Sequence, residues 1–232
     1  MPLYAELIDS VKEFLEDNTY FSCVQWGKNY PFSNNEGLLF YGRAANTTDG
    51  DYELDAESMF CGDERIFDRE DQMKWTLSYN EKFVELIKLV SSHYYPQHKW
   101  NEYIAWSNIA KVSNGVKVPS GKYWKSQYET DNKILLAEMN ILSPKVIVMI
   151  TGWNRNKTYC CIYDDEPKPI EEKTWYSGNN FSCKSAAFIQ DGFLYIVTDR
   201  PDARDESQNF IMEHAKCIIE LIDKYSHLVS KK

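Results

Sequence analysis

The stretch GLLFYGRAANTTDG, residues 37–50, decides how a sheet is placed in this chain. An apolar run over residues 38–41 ends at Gly42, and a loop of small and polar residues follows it. This pattern is typical of a buried parallel strand that leads into a binding loop, because ligands of open α/β sheets lie at the carboxyl ends of the strands. Gly42 would let a ligand approach the backbone closely, and Arg43 adds hydrogen-bond donors. An ordinary turn after a strand would give the same pattern, so both interpretations stay open at this point.

Composition predicts a single soluble α/β domain over residues 1–232. Of the 232 residues, 43% are hydrophobic and 15% are aromatic, which suffices for one substantial core. No run of about 18 apolar residues predicts a membrane span. Residues 1–21 carry acids throughout, unlike a signal peptide. We therefore expect a cytoplasmic protein with no membrane partner.

The cysteines and histidines form no metal-binding pattern. The six cysteines give no C-x-x-C pair, and Cys160 and Cys161 are adjacent, which suits shared tetrahedral ligation poorly. The four histidines give no H-x-x-x-H or H-E-x-x-H motif. We predict reduced thiols, no metal site and no cofactor.

Acidic residues dominate the charge of the chain. The formal net charge is −9, and residues 49–71 hold ten acids against two arginines. Clustered acids are usually a solvated surface, and at the rim of a pocket they would also repel a polyanion. Because Lys and Arg contacts to phosphate supply most of the affinity for nucleic acid, we expect only weak binding to duplex DNA.

Strand-like apolar runs alternate with helical patterns along the chain. The runs lie near residues 38, 103, 146 and 194. Apolar residues at helical spacing predict helices over residues 3–16, between Asn80 and Pro96, over residues 126–142 and across residues 210–222. Right-handed crossovers would join the strands into a mostly parallel four-stranded sheet with helices on both faces, a three-layer α/β/α fold. Hairpin-like runs within residues 153–192 predict a β-rich insertion.

In such a sheet the carboxyl ends of the four strands lie at one edge. Four stretches reach that edge in chain order: FYGRAAN (40–46), IAWSNIAKVS (104–113), KVIVMITG (145–152) and IVTDRPDAR (196–204). Through this order the chain resembles the uracil-DNA glycosylase superfamily over residues 37–215, with residues 153–192 unmatched. The resemblance implies the strand order 2-1-3-4 and a nucleobase pocket at the carboxyl edge.

The resemblance also implies which residues would bind a base. The first loop would offer backbone N–H groups, the second strand would end in the residue that reads the base, and the other two strand ends would complete the pocket. The implied binding residues are Gly42, Arg43, Ala44, Ala45, Asn108, Gly152, Pro201 and Arg204. The Asn108 amide offers an acceptor and a donor, which suits the edge of uracil or thymine. An amide that satisfies backbone groups at a strand end is the other interpretation of Asn108.

Candidate catalytic residues follow from the same matching. Arg200 lies where the family has a histidine that stabilises the departing base as an anion; a guanidinium could do so without proton exchange, or could form a surface ion pair. Ala44 lies at the family's water-handling position, and an alanine can neither activate nor orient water. Asn46, Asp49 or Asp51 would have to supply that group from a rearranged loop.

Three functions from different classes are hypotheses at this stage. The first is an N-glycosidic hydrolase in which a base held by Asn108 and the Gly42 loop leaves as an anion beside Arg200. The second is a non-catalytic binder of a free base, nucleoside or nucleotide, which the alanine at position 44 favours. The third is a protein-interaction module that uses the aromatic residues of the 153–192 segment. The loop RPDARD, residues 200–205, has no bulky apolar residue to insert into a duplex, which disfavours a role in DNA repair.

Overall fold

The computed structural model describes residues 20–21, 24–32, 36–43, 81–113, 121–152, 168–177, 182–201 and 208–229. These residues form an α/β structure in which a mixed seven-stranded sheet carries helices on both faces, so the α/β class of the prediction is confirmed. The predicted helix over residues 3–16 and the acidic stretch 49–71 lie outside the described residues.

The secondary structure follows the predicted alternation of strands and helices. The strands are β1 (Tyr20–Phe21), β2 (Gln25–Trp26), β3 (Leu38–Gly42), β4 (Ile104–Asn108), β5 (Val112–Ser113), β6 (Val146–Met149), β7 (Glu171–Ser177), β8 (Ser182–Gln190) and β9 (Phe193–Thr198). The helices are α1 (Glu81–Tyr94), α2 (Gly121–Leu142) and α3 (Gln208–Tyr225), and a 3₁₀ turn (Ser226–Leu228) follows α3. Among the described helices, none combines the length and the apolarity that crossing a membrane requires.

The large sheet has the strand order β2-β4-β3-β6-β9-β8-β7. Its four central strands, β4, β3, β6 and β9, pair in parallel, whereas β2, β8 and β7 add antiparallel pairings at the two sides. The short strands β1 and β5 pair with each other in a separate two-stranded sheet.

The prediction of a mostly parallel sheet of four strands is therefore wrong in two respects. The sheet has seven strands, and it contains antiparallel as well as parallel pairings. The described part of the 153–192 segment joins the main sheet, because a tight turn at Asp191 and Gly192, both with positive φ, folds β8 back onto β9. Side chains on both faces of β8, including Ala186 and Ala187, are then buried by the same two cores that cover the central strands.

Two hydrophobic cores lie on opposite faces of the sheet. On one face, Phe40 and Val148 pack with Ile87 of α1 and Ile218 of α3. On the other face, Leu39, Tyr41 and Ile147 pack with Ile134, Leu135 and Met139 of α2. Because consecutive strand side chains point to opposite faces, a strand buried on both sides must be apolar at every position, as the central strands largely are. Each fully buried Leu, Ile or Phe contributes about 1.5–3 kcal/mol relative to exposure.

Candidate functional site

Gly42 and Asn108 end two neighbouring strands at the carboxyl edge of the sheet. They are partners in the parallel register of β3 and β4, and the N–H of Ile109 donates to the Gly42 carbonyl at 2.9 Å. The Asn108 side chain lies over the Gly42 α carbon, since a Cβ built on Gly42 would stand 2.5 Å from Oδ1 of Asn108. Asn108 is 4% exposed. The sequence predicted both residues for this edge, and the fold brings them into contact.

Aromatic rings and an arginine lie beside this pair. Trp106, two residues before Asn108 on β4, has its indole Cζ2 2.7 Å from the Cβ position of Gly42. Phe83 of α1 contacts Trp106 edge to face, with ring centroids 6.5 Å apart. The Arg200 guanidinium carbon lies 5.3 Å from the centre of the Phe83 ring, a cation–π arrangement. The predicted catalytic candidate Arg200 therefore lies on the same side of the sheet as Trp106.

Sequence reasoning missed Phe83 and Trp106 as site residues. The signal for Trp106 was present, because residues i and i+2 of a strand share a face, and Asn108 was already a candidate. Phe83 had no comparable signal. Its position in α1 looked like ordinary core, and only the packing of α1 on the sheet brings it to Arg200.

Arg43 and Gly152 join the ends of β3 and β6. The Arg43 Nε donates to the carbonyl of Thr151. Gly152 has a φ of +98°, and a Cβ at that position would lie 2.6 Å from a terminal nitrogen of Arg43. A side chain at position 152 is thus disfavoured both by the backbone and by the guanidinium. Arg43 was predicted as a ligand-binding residue; the structure shows that it joins two neighbouring strand ends.

The end of β9 completes the edge. The Gly152 N–H donates to the Thr198 carbonyl at 2.9 Å, and Asp199 accepts a hydrogen bond from the Lys184 N–H through Oδ2 at 2.9 Å. The other carboxylate oxygen, Oδ1, lies 3.9 Å from the Cβ position of Gly152. Pro201 is buried. Asp199 was not among the predicted site residues, but the fold brings it next to the predicted residue Gly152.

Five predicted site residues lie outside the described residues, namely Ala44, Ala45, Asn46, Asp49 and Arg204. Their roles stay predictions. The described edge supplies a buried amide, which can donate and accept hydrogen bonds, a guanidinium, and two aromatic rings that are themselves buried in the core. A scan against protein-family models and a search of curated proteins each give no match to the chain.

A buried ionic cluster lies behind the edge, on the face covered by α2. Lys111 and Glu138 have fully buried side chains, and Nζ of Lys111 lies 2.6 and 2.7 Å from the two carboxylate oxygens. Tyr41 donates to Oε2 of Glu138 at 3.0 Å, and Nζ of Lys111 lies 2.5 Å from Oγ of Ser107. Burial and the neighbouring Glu138 carboxylate raise the pKa of the Tyr41 phenol.

Asp131 adds a second carboxyl to this cluster. Burial raises the Asp131 pKa to about 7, and the charge of Glu138 acts in the same direction. The charge of Lys111 and a hydrogen bond to its backbone N–H oppose this shift. Its Oδ1 has no hydrogen-bond partner among the described residues. A buried carboxyl with an unpartnered oxygen favours its neutral form.

A separate buried histidine supports the end of β9 from α3. Nε2 of His214 lies 2.6 Å from the Thr198 hydroxyl, which lies 2.6 Å from the Ser185 hydroxyl. The imidazole stacks on Trp175 with ring centroids 4.0 Å apart. Burial lowers the His214 pKa to about 3, so the ring is neutral near pH 7. Sequence reasoning gave His214 no role.

Proposed function

We propose that this protein binds a nucleobase, free or within a nucleoside or nucleotide, at the carboxyl edge of its four parallel strands. The proposal includes a three-layer fold of the uracil-DNA glycosylase type. It is supported by the order β4-β3-β6-β9, which is the order second, first, third and fourth of the parallel strands along the chain, and by helices packed on both faces.

The contact between Asn108 and Gly42 carries the proposal. A buried amide at a strand end, packed directly against an α carbon, carries one acceptor and two donor hydrogens. Uracil and thymine present a carbonyl next to an N–H, which is the complementary pattern. Asn108 would donate to O4 and accept from N3–H.

Two further polar atoms near this edge support a bound partner. The Trp106 Nε1 and the Thr151 hydroxyl are buried and have no hydrogen-bond partner among the described residues. Buried polar groups in proteins are nearly always hydrogen-bonded, so a ligand or an ordered water is expected to satisfy them.

Hydrolysis of an N-glycosidic bond is a second candidate, favoured by the position of Arg200. In that reaction water adds to the sugar C1′ as the C1′–N bond breaks, and the base leaves with the electron pair of that bond. A permanently charged guanidinium beside the base stabilises the negative charge that develops. The group that takes the proton from water would come from the loop after Gly42, with Asn46 and Asp49 as candidates.

The test compares Asn108→Asp with Asn101→Asp, a change at another buried asparagine in the turn before β4. A carboxylate at position 108 can accept from the amino group of cytosine, but it cannot donate to O4 of uracil. We expect calorimetry to show a loss of uracil affinity of about ten- to a hundredfold and a shift toward cytosine, because one buried partner is left unpaired. Asn101→Asp should keep the wild-type preference.

Two results would count against the proposal. If the wild-type protein binds none of uracil, thymine, cytosine, uridine and uridine monophosphate, the edge is not a base site. If Asn108→Asp binds with unchanged preference, Asn108 is a structural residue. Release of free uracil from a uracil-containing oligonucleotide would separate the hydrolase from the binder.

A further inference from the structure

The chain segment 107–111 is held on both sides of Asn108 along the chain, by side-chain and by backbone contacts. The residue before Asn108 and the third residue after it, Ser107 and Lys111, meet at 2.5 Å between Oγ and Nζ. Between them, the N–H groups of Ile109 and Ala110 donate to the carbonyls of residues 42 and 43 at 2.9 and 2.8 Å. Asn108 is therefore enclosed in a short segment with a fixed contact on each side.

Glu138 of α2 anchors this segment to the helical layer. Its two carboxylate oxygens accept from Lys111, and they also lie within hydrogen-bond distance of Ser107 Oγ (3.3 Å) and Tyr41 OH (3.0 Å). Tyr41 directly precedes Gly42, the register partner of Asn108. One carboxylate thus contacts the residue before each member of the Gly42–Asn108 pair.

This cluster lies on the opposite face of the sheet from the proposed base site. Tyr41 packs in the core beneath α2, whereas Trp106 packs in the core beneath α1 and α3. Because alternate strand residues point to opposite faces, Ser107 points toward α2 and Asn108 points away from it. Lys111 and Glu138 therefore cannot contact a ligand at Asn108 directly, and any effect on that ligand passes through the backbone.

We infer that the buried Lys111–Glu138 pair is a positioning device that holds Asn108 in place for base recognition. The inference rests on the proposed base-binding function for its consequence, and on the contacts of segment 107–111 for its geometry. A buried ion pair is weak evidence for stability alone, since apolar residues of similar volume often replace one without loss. The pair does supply directed hydrogen bonds that an apolar pair cannot.

The test uses a double variant that carries both Lys111→Met and Glu138→Leu. The control is a second double variant, Lys173→Met together with Glu220→Leu, which removes the exposed ion pair that joins β7 to α3. We expect the double variant at 111 and 138 to fold. The amides of Ile109 and Ala110 should then exchange with solvent at least about tenfold faster by NMR, and uracil affinity should fall by about tenfold or more. The matched variant should change neither readout. Glu138→Gln, which keeps an acceptor for Lys111, should give smaller changes in the same direction and serves if the double variant does not fold.

The two readouts fail separately. Unchanged exchange at Ile109 and Ala110 in variants that remain folded would overturn the positioning role, whatever the wild-type protein binds. Normal uracil affinity and preference in a folded variant with accelerated exchange would also overturn it. Absence of any base binding by the wild-type protein would instead overturn the proposed function, and the exchange measurement would still report whether the pair holds the segment.

Discussion

The side chain of Asn108 rests on the α carbon of Gly42, at the last paired position of the two strands that begin the parallel sheet. The contact requires glycine, because a Cβ would stand 2.5 Å from the amide oxygen and 2.7 Å from the Trp106 ring. The identity of residue 42 and the placement of residue 108 are thereby coupled, although the two residues lie 66 positions apart in the chain.

We predict that Gly42→Ala weakens base binding more than it weakens the fold. The added methyl group must displace the Asn108 amide or the Trp106 ring, and overpacking of this kind costs about 1–3 kcal/mol. Gly37→Ala is the matched control, since its Cβ would crowd the Tyr30 ring, at 2.5 Å from Cζ, before the other end of the same strand. Thermal unfolding and uracil calorimetry of both variants check the prediction. Equal losses of affinity in the two variants would contradict it.

We predict that Asp131→Asn stabilises the protein at alkaline pH. The Asp131 pKa is about 7 in the folded state against 3.8 for the ordinary group, so the folded state binds more protons between these values. Stability from this group therefore falls as the pH rises from about 4 through about 7, and the loss is complete above that. Asparagine removes the titration. The wild type should lose roughly 2–4 kcal/mol relative to the variant between about pH 4 and pH 8.

Chemical denaturation across that pH range measures the effect of Asp131→Asn. Asp191→Asn, at an exposed turn, is the control for removing one carboxylate from the chain. Parallel stability curves for the wild type and Asp131→Asn would show that Asp131 titrates normally.

We predict the opposite pH dependence for His214. Its folded pKa of about 3 lies below the ordinary value of 6.5, so the unfolded chain binds the extra proton between these values. Stability from this group is complete above about pH 6.5 and falls as the pH drops toward about 3. His214→Phe keeps an aromatic ring on Trp175 and cannot titrate, so its stability relative to the wild type should rise steadily below about pH 6. A constant difference between the two proteins would argue against a buried neutral imidazole.

We predict weak binding to duplex DNA at physiological salt. The basis is the formal charge of −9 and the ten acids of residues 49–71. Fluorescence anisotropy with a labelled duplex, repeated over a series of salt concentrations, measures both the affinity and its salt dependence. Tight binding with a steep loss of affinity on adding salt would reveal a basic groove that the overall charge conceals. A single-stranded oligonucleotide of the same sequence is the control for recognition of an accessible base.

The central strands were predictable because their signal is local. Uninterrupted apolar runs such as residues 146–149 and 193–198 cannot remain in water, and their length and β-branched residues favour strands over helices. The Asp191-Gly192 turn was equally clear, since both residues tolerate positive φ. The carboxyl edge with Gly42, Asn108, Gly152 and Arg200 followed from the alternation of strands and helices, which makes neighbouring strands parallel.

The sequence by itself determined the α/β class, the central strands and the residues at their ends, because hydrophobic periodicity and turn chemistry act over a few neighbouring positions. Only the tertiary structure decided that Lys111 is a buried partner of Glu138, 27 residues away, and that Tyr41 reaches the same carboxylate from 97 residues away. The same is true of Phe83 beneath Arg200 and of β7 and β8 extending the main sheet. From the sequence alone, a lysine is expected at the surface. The free energy that offsets the cost of burying it comes from an opposite charge and hydrogen-bond acceptors that folding brings to it from distant parts of the chain.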